Sequence, residues 1–357
     1  MRDEAAMRRA VELAASVRTQ TSPNPWVGCV IVSDASSFEG AHAGPGQAHA
    51  EAAALAAAGD AARGATLYCT LEPCSHVGRT GPCADAIVAA GVSRVVVGVL
   101  DPDPHVSGRG LARLRQGGIE VAVGVEAGAV EDQLAPYLKH RRTGRPWVVL
   151  KLAATLDGRV AAPDGTSRWI TGPAARADAH RLRAESDAVL VGAGTVRADD
   201  PELTVRPESG PATQPAREAG PVAQRQPLRV VLGRAPADAK VHPALELTGD
   251  LGQVLDDLGR RQILQLLVEG GPTVAHDFHA SGLVDRYVVY LAPALLGGSD
   301  GRPVFEGPGA PTIGGLWRGR LRSVERLGED LRVELAPPGN PPGASAEAAL
   351  AGVESGR

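Results

Sequence analysis

The sequence predicts an α/β protein of two domains, each with helices layered on a largely parallel sheet. Three observations carry that expectation. Short apolar runs alternate with segments of helical spacing along most of the chain. The alternation resets once, at a charged stretch with Gly and Pro between residues 139 and 147. And 357 residues are enough to bury two independent cores.

Taken in order, residues 3–18 place Ala6, Ala10, Leu13, Ala14 and Val17 at helical spacing. Residues 26–32 (WVGCVIV) make a short apolar run, the length of a buried strand. Residues 49–58 (HAEAAALAAA) are strong helix formers. A strand is predicted over 65–71, a helix over 83–90, a strand over 94–99 and a helix over 108–116. Residues 139–146 (KHRRTGRP) read as a linker, which bounds a first domain at 1–144 and a second at 145–336. In the second, strands are predicted at 147–153, 188–191, 228–232, 263–268 and 286–291. Helices are predicted at 173–185, 251–260 and 273–281, with Pro173 suited to a first helical turn. Residues 321–335, broken by Gly328-Glu329-Asp330, form a terminal hairpin. Residues 207–227 have no period and predict a mobile loop. The low-complexity tail 337–357 predicts disorder.

Composition removes several function classes. A net charge of −4 disfavours both nucleic-acid binding through phosphates and a polybasic membrane anchor. The first twenty residues carry charges throughout and hold no apolar signal core. No apolar run approaches the about 18 residues of a membrane span. Four cysteines are too few for a disulfide scaffold and suit a reducing cytoplasm, where clustered cysteines point to metal or catalysis.

Two stretches dominate the first half. One is His49-Ala50-Glu51 at a helix start. The other is Pro73-Cys74, then Cys83 after eight intervening residues, running from a strand end to a helix start. Zinc favours thiolate and imidazole, and a catalytic zinc keeps one position open. One His and two Cys make such a three-ligand set. Glu51, two residues after His49, sits beside that ligand rather than on its spoke. It can take a proton from the metal's water and pass it to a leaving amine. The order H-x-E then P-C…C is that of zinc nucleobase deaminases, here with six extra residues between the cysteines. Cys29 and Cys69 lie within apolar strands and read as core.

In the second half, Gly192-Ala193-Gly194 after a strand is weak evidence for nucleotide binding. Glu269-Gly270-Gly271-Pro272-Thr273 is a better candidate, because it follows an apolar strand and opens a helix. Glycines there admit a pyrophosphate, and free first-turn amides favour an anion. An ordinary strand-to-helix turn is the equal alternative.

The segments 21–32 (TSPNPWVGCVIV), 49–51 (HAE), 70–83 (TLEPCSHVGRTGPC) and 101–110 (DPDPHVSGRG) resemble the deaminase half of the bifunctional deaminase/reductase family of riboflavin biosynthesis. Segments 151–161, 169–172, 198–206, 267–273 and 291–298 resemble its reductase half. The resemblance covers about residues 1–336. It implies a cytidine-deaminase-like three-layer domain followed by a dihydrofolate-reductase-like domain, one Zn2+ per chain, and NADPH. The implied substrate is 2,5-diamino-6-ribosylamino-4(3H)-pyrimidinone 5′-phosphate. The first domain replaces its 2-amino group by oxygen. The second reduces the ribosyl to a ribityl chain by hydride transfer to C1′.

Carried over residue by residue, the resemblance implies His49, Cys74 and Cys83 as zinc ligands and Glu51 as proton shuttle. It implies Asn24, His42, His76 and Arg79 at the deaminase substrate. Asn24, between two prolines, equally reads as a turn residue, and the two histidines as surface residues. Residues 33–46 depart from the family's usual run. For the reductase it implies Ala153, Trp169, Thr195, Asp199 and Gly271, Pro272, Thr273, Val274, Ala275, His276 and Asp277 along the cofactor. Ser167, Arg183, Leu203, Arg206 and Glu269 are implied at the substrate. Two arginines suit a substrate 5′-phosphate, although Arg183 also reads as a solvated helix residue. After the strand at 228–232 this chain has Gly233-Arg234 where the family often has an acidic residue.

Two other functions compete with the bifunctional enzyme. A monofunctional deaminase would use its second half only to bind a regulatory nucleotide; Glu269 with the glycine pair and the reductase motifs argue against it, and an NADPH oxidation assay would settle the matter. A non-enzymatic zinc module would need a fourth protein ligand, and the sequence offers three. A homo-oligomer fits the fold class, but no stripe marks an interface.

Overall fold

The computed structural model describes residues 2–34, 36–76, 81–206 and 225–339. Nearly all of the expected loop at 207–227, and the tail beyond 339, lie outside them. The described chain divides into two compact units, 2–144 and 145–339.

The first unit runs α1 (Asp3–Ser16), α2 (Arg18–Thr21), β1 (Gly28–Val32), β2 (Ser37–Ala41), α3 (Ala50–Ala58), β3 (Thr66–Leu71), α4 (Cys83–Ala89), β4 (Arg94–Val99), α5 (Arg109–Gln116), β5 (Glu120–Val123) and α6 (Ala127–Thr143). The sheet order is β2-β1-β3-β4-β5. Only β3-β4 and β4-β5 are parallel; β1 pairs antiparallel with both β2 and β3. The expectation of a largely parallel sheet therefore fails here. Residues 33–36 are too few for a crossover, so β2 folds straight back on β1. Helix α1 packs so closely on β1 that a Cβ at Gly28 would collide with the Ala10 carbonyl. On β2, a Cβ at Gly40 would collide with Ala50 of α3.

The linker expectation also needs correction. Residues 139–143 are the last turns of α6, and the connection is only 144–146. The basic residues His140, Arg141 and Arg142 favour the negative end of the helix dipole. Gly144 then ends the helix at φ 72°, a left-handed conformation that suits glycine.

The second unit runs β6 (Trp147–Thr155), β7 (Arg159–Ala161), α7 (Pro173–Ala184), β8 (Ala188–Gly192), α8 (Ala193–Asp199), β9 (Leu228–Leu232), β10 (Leu245–Leu247), α9 (Leu251–Arg260), β11 (Gln265–Gly270), α10 (Pro272–Ala280), β12 (Arg286–Ala292), β13 (Arg302–Pro303), β14 (Arg320–Leu327) and β15 (Asp330–Ala336). The main sheet has the order β10-β9-β8-β11-β6-β12-β15-β14. It is parallel from β10 to β12, and the expected hairpin β14-β15 adds its antiparallel edge. Both faces are covered, so the central strands are mostly apolar, with Lys151 of β6 and Glu269 of β11 among the exceptions. On one face Val148, Leu150, Leu190 and Val268 pack with Leu255, Leu258 and Phe278 of α9 and α10. On the other, Val149, Val189, Val191 and Leu267 pack with Leu182 of α7 and Val196 of α8. No helix among the described residues is long and apolar enough to cross a membrane.

Candidate active sites

In the first unit, His49 is the extended residue that precedes α3, Cys74 follows β3, and Cys83 is the first residue of α4. Their donor atoms all lie within 4.8 Å of one another. The His49 Nδ1 is 3.6 Å from Cys74 Sγ and 3.3 Å from Cys83 Sγ. The Cys83 amide donates to Cys74 Sγ over 3.4 Å. Two soft sulfurs and an imidazole converging from three chain segments are a donor set that zinc fits. The Cys83 thiol and amide, with His49, lower the Cys74 thiol, while the same contact and burial raise Cys83.

Glu51 lies in the first turn of α3 and is buried. Burial pushes its carboxyl up to about 7, with the nearby Cys74 adding to that rise. A cation at the cluster acts in the opposite sense. A cavity of about 480 Å³ opens here and includes Asn24, His42, His49, Glu51, Cys74 and His76 in its wall. The His42 Nδ1–H donates to the Ala48 carbonyl over 3.1 Å, which leaves Nε2 to accept from the Asn24 amide at 3.2 Å. That network assigns the tautomer, and burial lowers the His42 pKa, favouring the neutral ring. Arg79 lies outside the described residues.

The cavity also takes in residues that sequence reasoning missed: Glu72, Asp101, Asp103, Tyr137 and Arg141. Glu72 accepts from the amides of Gly108 and Gly110, each at 3.0 Å. Tyr137 donates to Asp101 over 3.1 Å. The segment 101–110 drew attention as a motif, but no role could be read from it. Tyr137 and Arg141 sit on α6, whose helical pattern was not recognised.

In the second unit a cavity of about 400 Å³ sits at the carboxy ends of β6, β11 and β8, where open parallel sheets bind ligands. Ala153, Trp169, Thr195, Asp199, Gly271, Pro272 and Ala275 line it, as do Ser167, Arg183, Leu203, Arg206 and Glu269. Thr273, Val274, His276 and Asp277 do not. Val274 packs into the core, Thr273 donates to Glu306, and His276 donates to the Pro308 carbonyl. A turn of α10 can present only part of its circumference to one cavity. The Gly271 amide donates to Thr195 Oγ1 over 3.0 Å, and a Cβ at Gly271 would stand 2.7 Å from that oxygen. The β8 and β11 turns thus meet in a cradle closed to side chains and open to a pyrophosphate, which fits a nicotinamide dinucleotide.

Arg183 is not a solvated helix residue. It grips both Glu269 oxygens, at 2.5 and 2.9 Å, and the Thr204 carbonyl at 3.1 Å. Burial alone raises a carboxyl, but Arg183 outweighs it and holds Glu269 below its ordinary value. Lys151, Arg168, Arg176, His180 and Arg302 also line this cavity and escaped sequence reasoning. Trp169, 68% exposed, lies between Arg176 at 4.6 Å and Arg168 at 5.9 Å. Lys151 opens the segment 151–161, but strand alternation could not say that it faces a cavity.

Comparison with known proteins divides the chain along the same line. Residues 1–99 match the cytidine and deoxycytidylate deaminase zinc-binding region, and residues 146–333 match the RibD C-terminal domain. The chain is 42% identical to riboflavin biosynthesis protein RibD of Escherichia coli K12, over 94% of this chain and 99% of that one. The chain belongs to the RibD family. RibD of Mycobacterium tuberculosis is 41% identical over 92% of this chain and 96% of its own. The solved Acinetobacter baumannii RibD superposes with a TM-score of 0.86 at 40% identity, covering 94% of this chain and 99% of that one. A Thermotoga maritima structure described as a diaminohydroxyphosphoribosylaminopyrimidine deaminase/5-amino-6-(5-phosphoribosylamino)uracil reductase gives 0.82 at 34% identity, covering 94% and 98%. The first unit is therefore cytidine-deaminase-like and the second has the RibD reductase fold.

Proposed function

We propose that the first cavity deaminates and the second reduces the same pyrimidine ribosyl phosphate, through the residues placed there. The activity is that of the bifunctional deaminase/reductase of riboflavin biosynthesis, with zinc and NADPH as cofactors. His49, Cys74 and Cys83 hold the metal, which when bound supplies a Lewis acid that makes water nucleophilic. Glu51 takes a proton from the attacking water and delivers it to the departing 2-amino group. Its burial raises the carboxyl and the metal's charge lowers it, and these opposed effects set its proton affinity. His42 spends both ring nitrogens on Ala48 and Asn24 and so fixes the Asn24 amide, whose Oδ1 and second N–H are left to meet the ring. The observation that carries this reading is the His49, Cys74 and Cys83 cluster with buried Glu51 beside it.

In the second cavity the Gly271 turn takes the dinucleotide, which supplies a hydride when bound. Arg206, with one of its nitrogens on Glu202 at 3.0 Å, faces the substrate phosphate. The Arg183–Glu269 pair fixes the wall against which the sugar is held. Four free cysteines fit a reducing cytoplasm. The test is to incubate zinc-loaded protein with the diaminopyrimidine, with and without NADPH, and to identify products by mass. The expected masses are those of the deaminated ribosyl compound without NADPH and of the ribityl compound with it. Unchanged substrate in both would overturn the reading.

A further inference from the structure

Residues 203–206 form part of the second cavity's wall but belong to no helix or strand. Backbone groups outside regular structure need other partners, and here side chains supply them. Arg183 of α7 donates to the Thr204 carbonyl over 3.1 Å. His180 lies three residues earlier on α7 and so on the same face. Its Nδ1 accepts the Arg206 N–H at 3.2 Å. Between these two contacts, Gln226 takes both backbone groups of Val205: its Oε1 accepts the amide at 2.7 Å and its Nε2 donates to the carbonyl over 3.2 Å.

The segment is held against a conformational cost. Leu203 is buried yet has φ +54°, a left-handed conformation that a bulky side chain avoids. Such a residue persists only where its surroundings over-determine it. His180, Arg183, Leu203, Arg206 and Glu269 all line the same cavity, so the constraint acts where the substrate is held. Arg183 is already committed to Glu269. His180 is the side chain that fixes Arg206 itself. An imidazole accepting at Nδ1 carries its proton on Nε2, which is an assignment made by the hydrogen bond. Glu202 restrains the Arg206 guanidinium at 3.0 Å, and buried His180 restrains the backbone from which that side chain springs.

We propose that His180 is a positioning residue of the reductase. By taking the Arg206 amide it fixes where the Arg206 guanidinium meets the substrate phosphate, and so sets affinity for the phosphorylated substrate rather than the rate of hydride transfer. This rests on the reductase reading of the second cavity. A guanidinium grips phosphate through paired bonds of fixed geometry, so a shift of its backbone loosens the grip.

The test is steady-state reduction, at saturating NADPH, of the deaminated ribosyl phosphate and of its dephosphorylated counterpart by the zinc-loaded full-length protein. Wild type is compared with His180→Phe, His180→Ala, His180→Asn, Arg206→Ala and the double His180→Phe/Arg206→Ala variant, with folding checked by circular dichroism. Phe and Ala both remove the acceptor, one keeping a ring and one vacating its space, so whichever folds decides the outcome. Asn places Oδ1 where Nδ1 stood. Without the acceptor, KM for the phosphorylated substrate should rise about tenfold with kcat close to wild type, and Asn should restore most of that loss. KM for the dephosphorylated substrate should be the same with and without the acceptor. Arg206→Ala should raise KM for the phosphorylated substrate, and adding His180→Phe to it should change little further. An unchanged KM in a folded variant without the acceptor, a rise shared equally by both substrates, or effects that add in the double variant would overturn the inference. Wild type that reduces neither substrate would overturn the reductase reading itself, and the inference with it.

Discussion

The first cavity gathers its chemistry into three donor atoms within 4.8 Å of one another and surrounds them with Glu51, Glu72, Asp101 and Asp103. Among the described residues, the second spreads Lys151 and five arginines around a wall with Asp199 and Glu269 as its acids. Each charge pattern suits the ligand proposed for it. An acidic cavity suits a cation and the amines of a diaminopyrimidine, and burial raises Glu51, Glu72 and Asp101 so that they are not all forced to carry charge. A basic cavity suits the phosphates of the proposed substrate and dinucleotide. The difference teaches where each site is fragile: the first at single atoms, the second at its pairings.

The sharpest break should come at Glu51. Glu51→Gln keeps the shape and removes the proton carrier, so deamination should fall by on the order of a hundredfold or more. Bound zinc, measured by metal analysis, and reduction of the deaminated substrate should both persist. Zinc lost together with activity would make Glu51 a ligand and erase the distinction between carrier and cluster.

In the second cavity the corresponding blow is to a pairing. Arg183→Ala leaves Glu269 buried without its partner, which should cost about 3–5 kcal/mol of stability. A lowered melting temperature of the reductase unit is the readout, and deamination measured below it should be unaffected. Because Glu269 is held below its ordinary value, its contribution is fully present above the usual glutamate range and is lost as pH falls through that range to the depressed value below it. Glu269→Gln should therefore flatten the acid limb of stability against pH. An unchanged acid limb would show that the pair is not what anchors this wall.

A smaller effect is expected at the cradle. Gly271→Ala pushes a methyl to within 2.7 Å of Thr195 Oγ1, so KM for NADPH should rise several-fold while deamination kinetics stay the same. An unaltered KM would place the pyrophosphate elsewhere.

Legibility followed the same contrast. Zinc ligands must be particular residue types at particular turns, so His49, Cys74 and Cys83 stood out in sequence. Glu51 followed from its offset to His49. The wall of that cavity was not legible, because Tyr137 and Arg141 reach it from a helix that the charged run at 139–146 disguised as a linker. The α/β alternation of the second unit was legible because buried parallel strands are mostly apolar. The antiparallel fold-back of β2 was not, since residues 37–41 are few and Ser37, Glu39 and Gly40 leave no apolar run. Nor could sequence show that Arg183 answers Glu269, a pairing made across 86 positions. Side chains of α10 turned out to be shared between cavity, core and loop, which a continuous cofactor segment at 271–277 did not anticipate.

The central claim is that the two chemistries are housed separately. The direct measurement is NADPH oxidation by Cys74→Ser protein supplied with the already deaminated ribosylaminouracil phosphate. A hydroxyl replaces thiolate poorly at zinc, so this variant should lose metal and deamination. It should nevertheless oxidise NADPH at close to the wild-type rate. A variant that is folded by circular dichroism and still fails on the deaminated substrate would contradict the account.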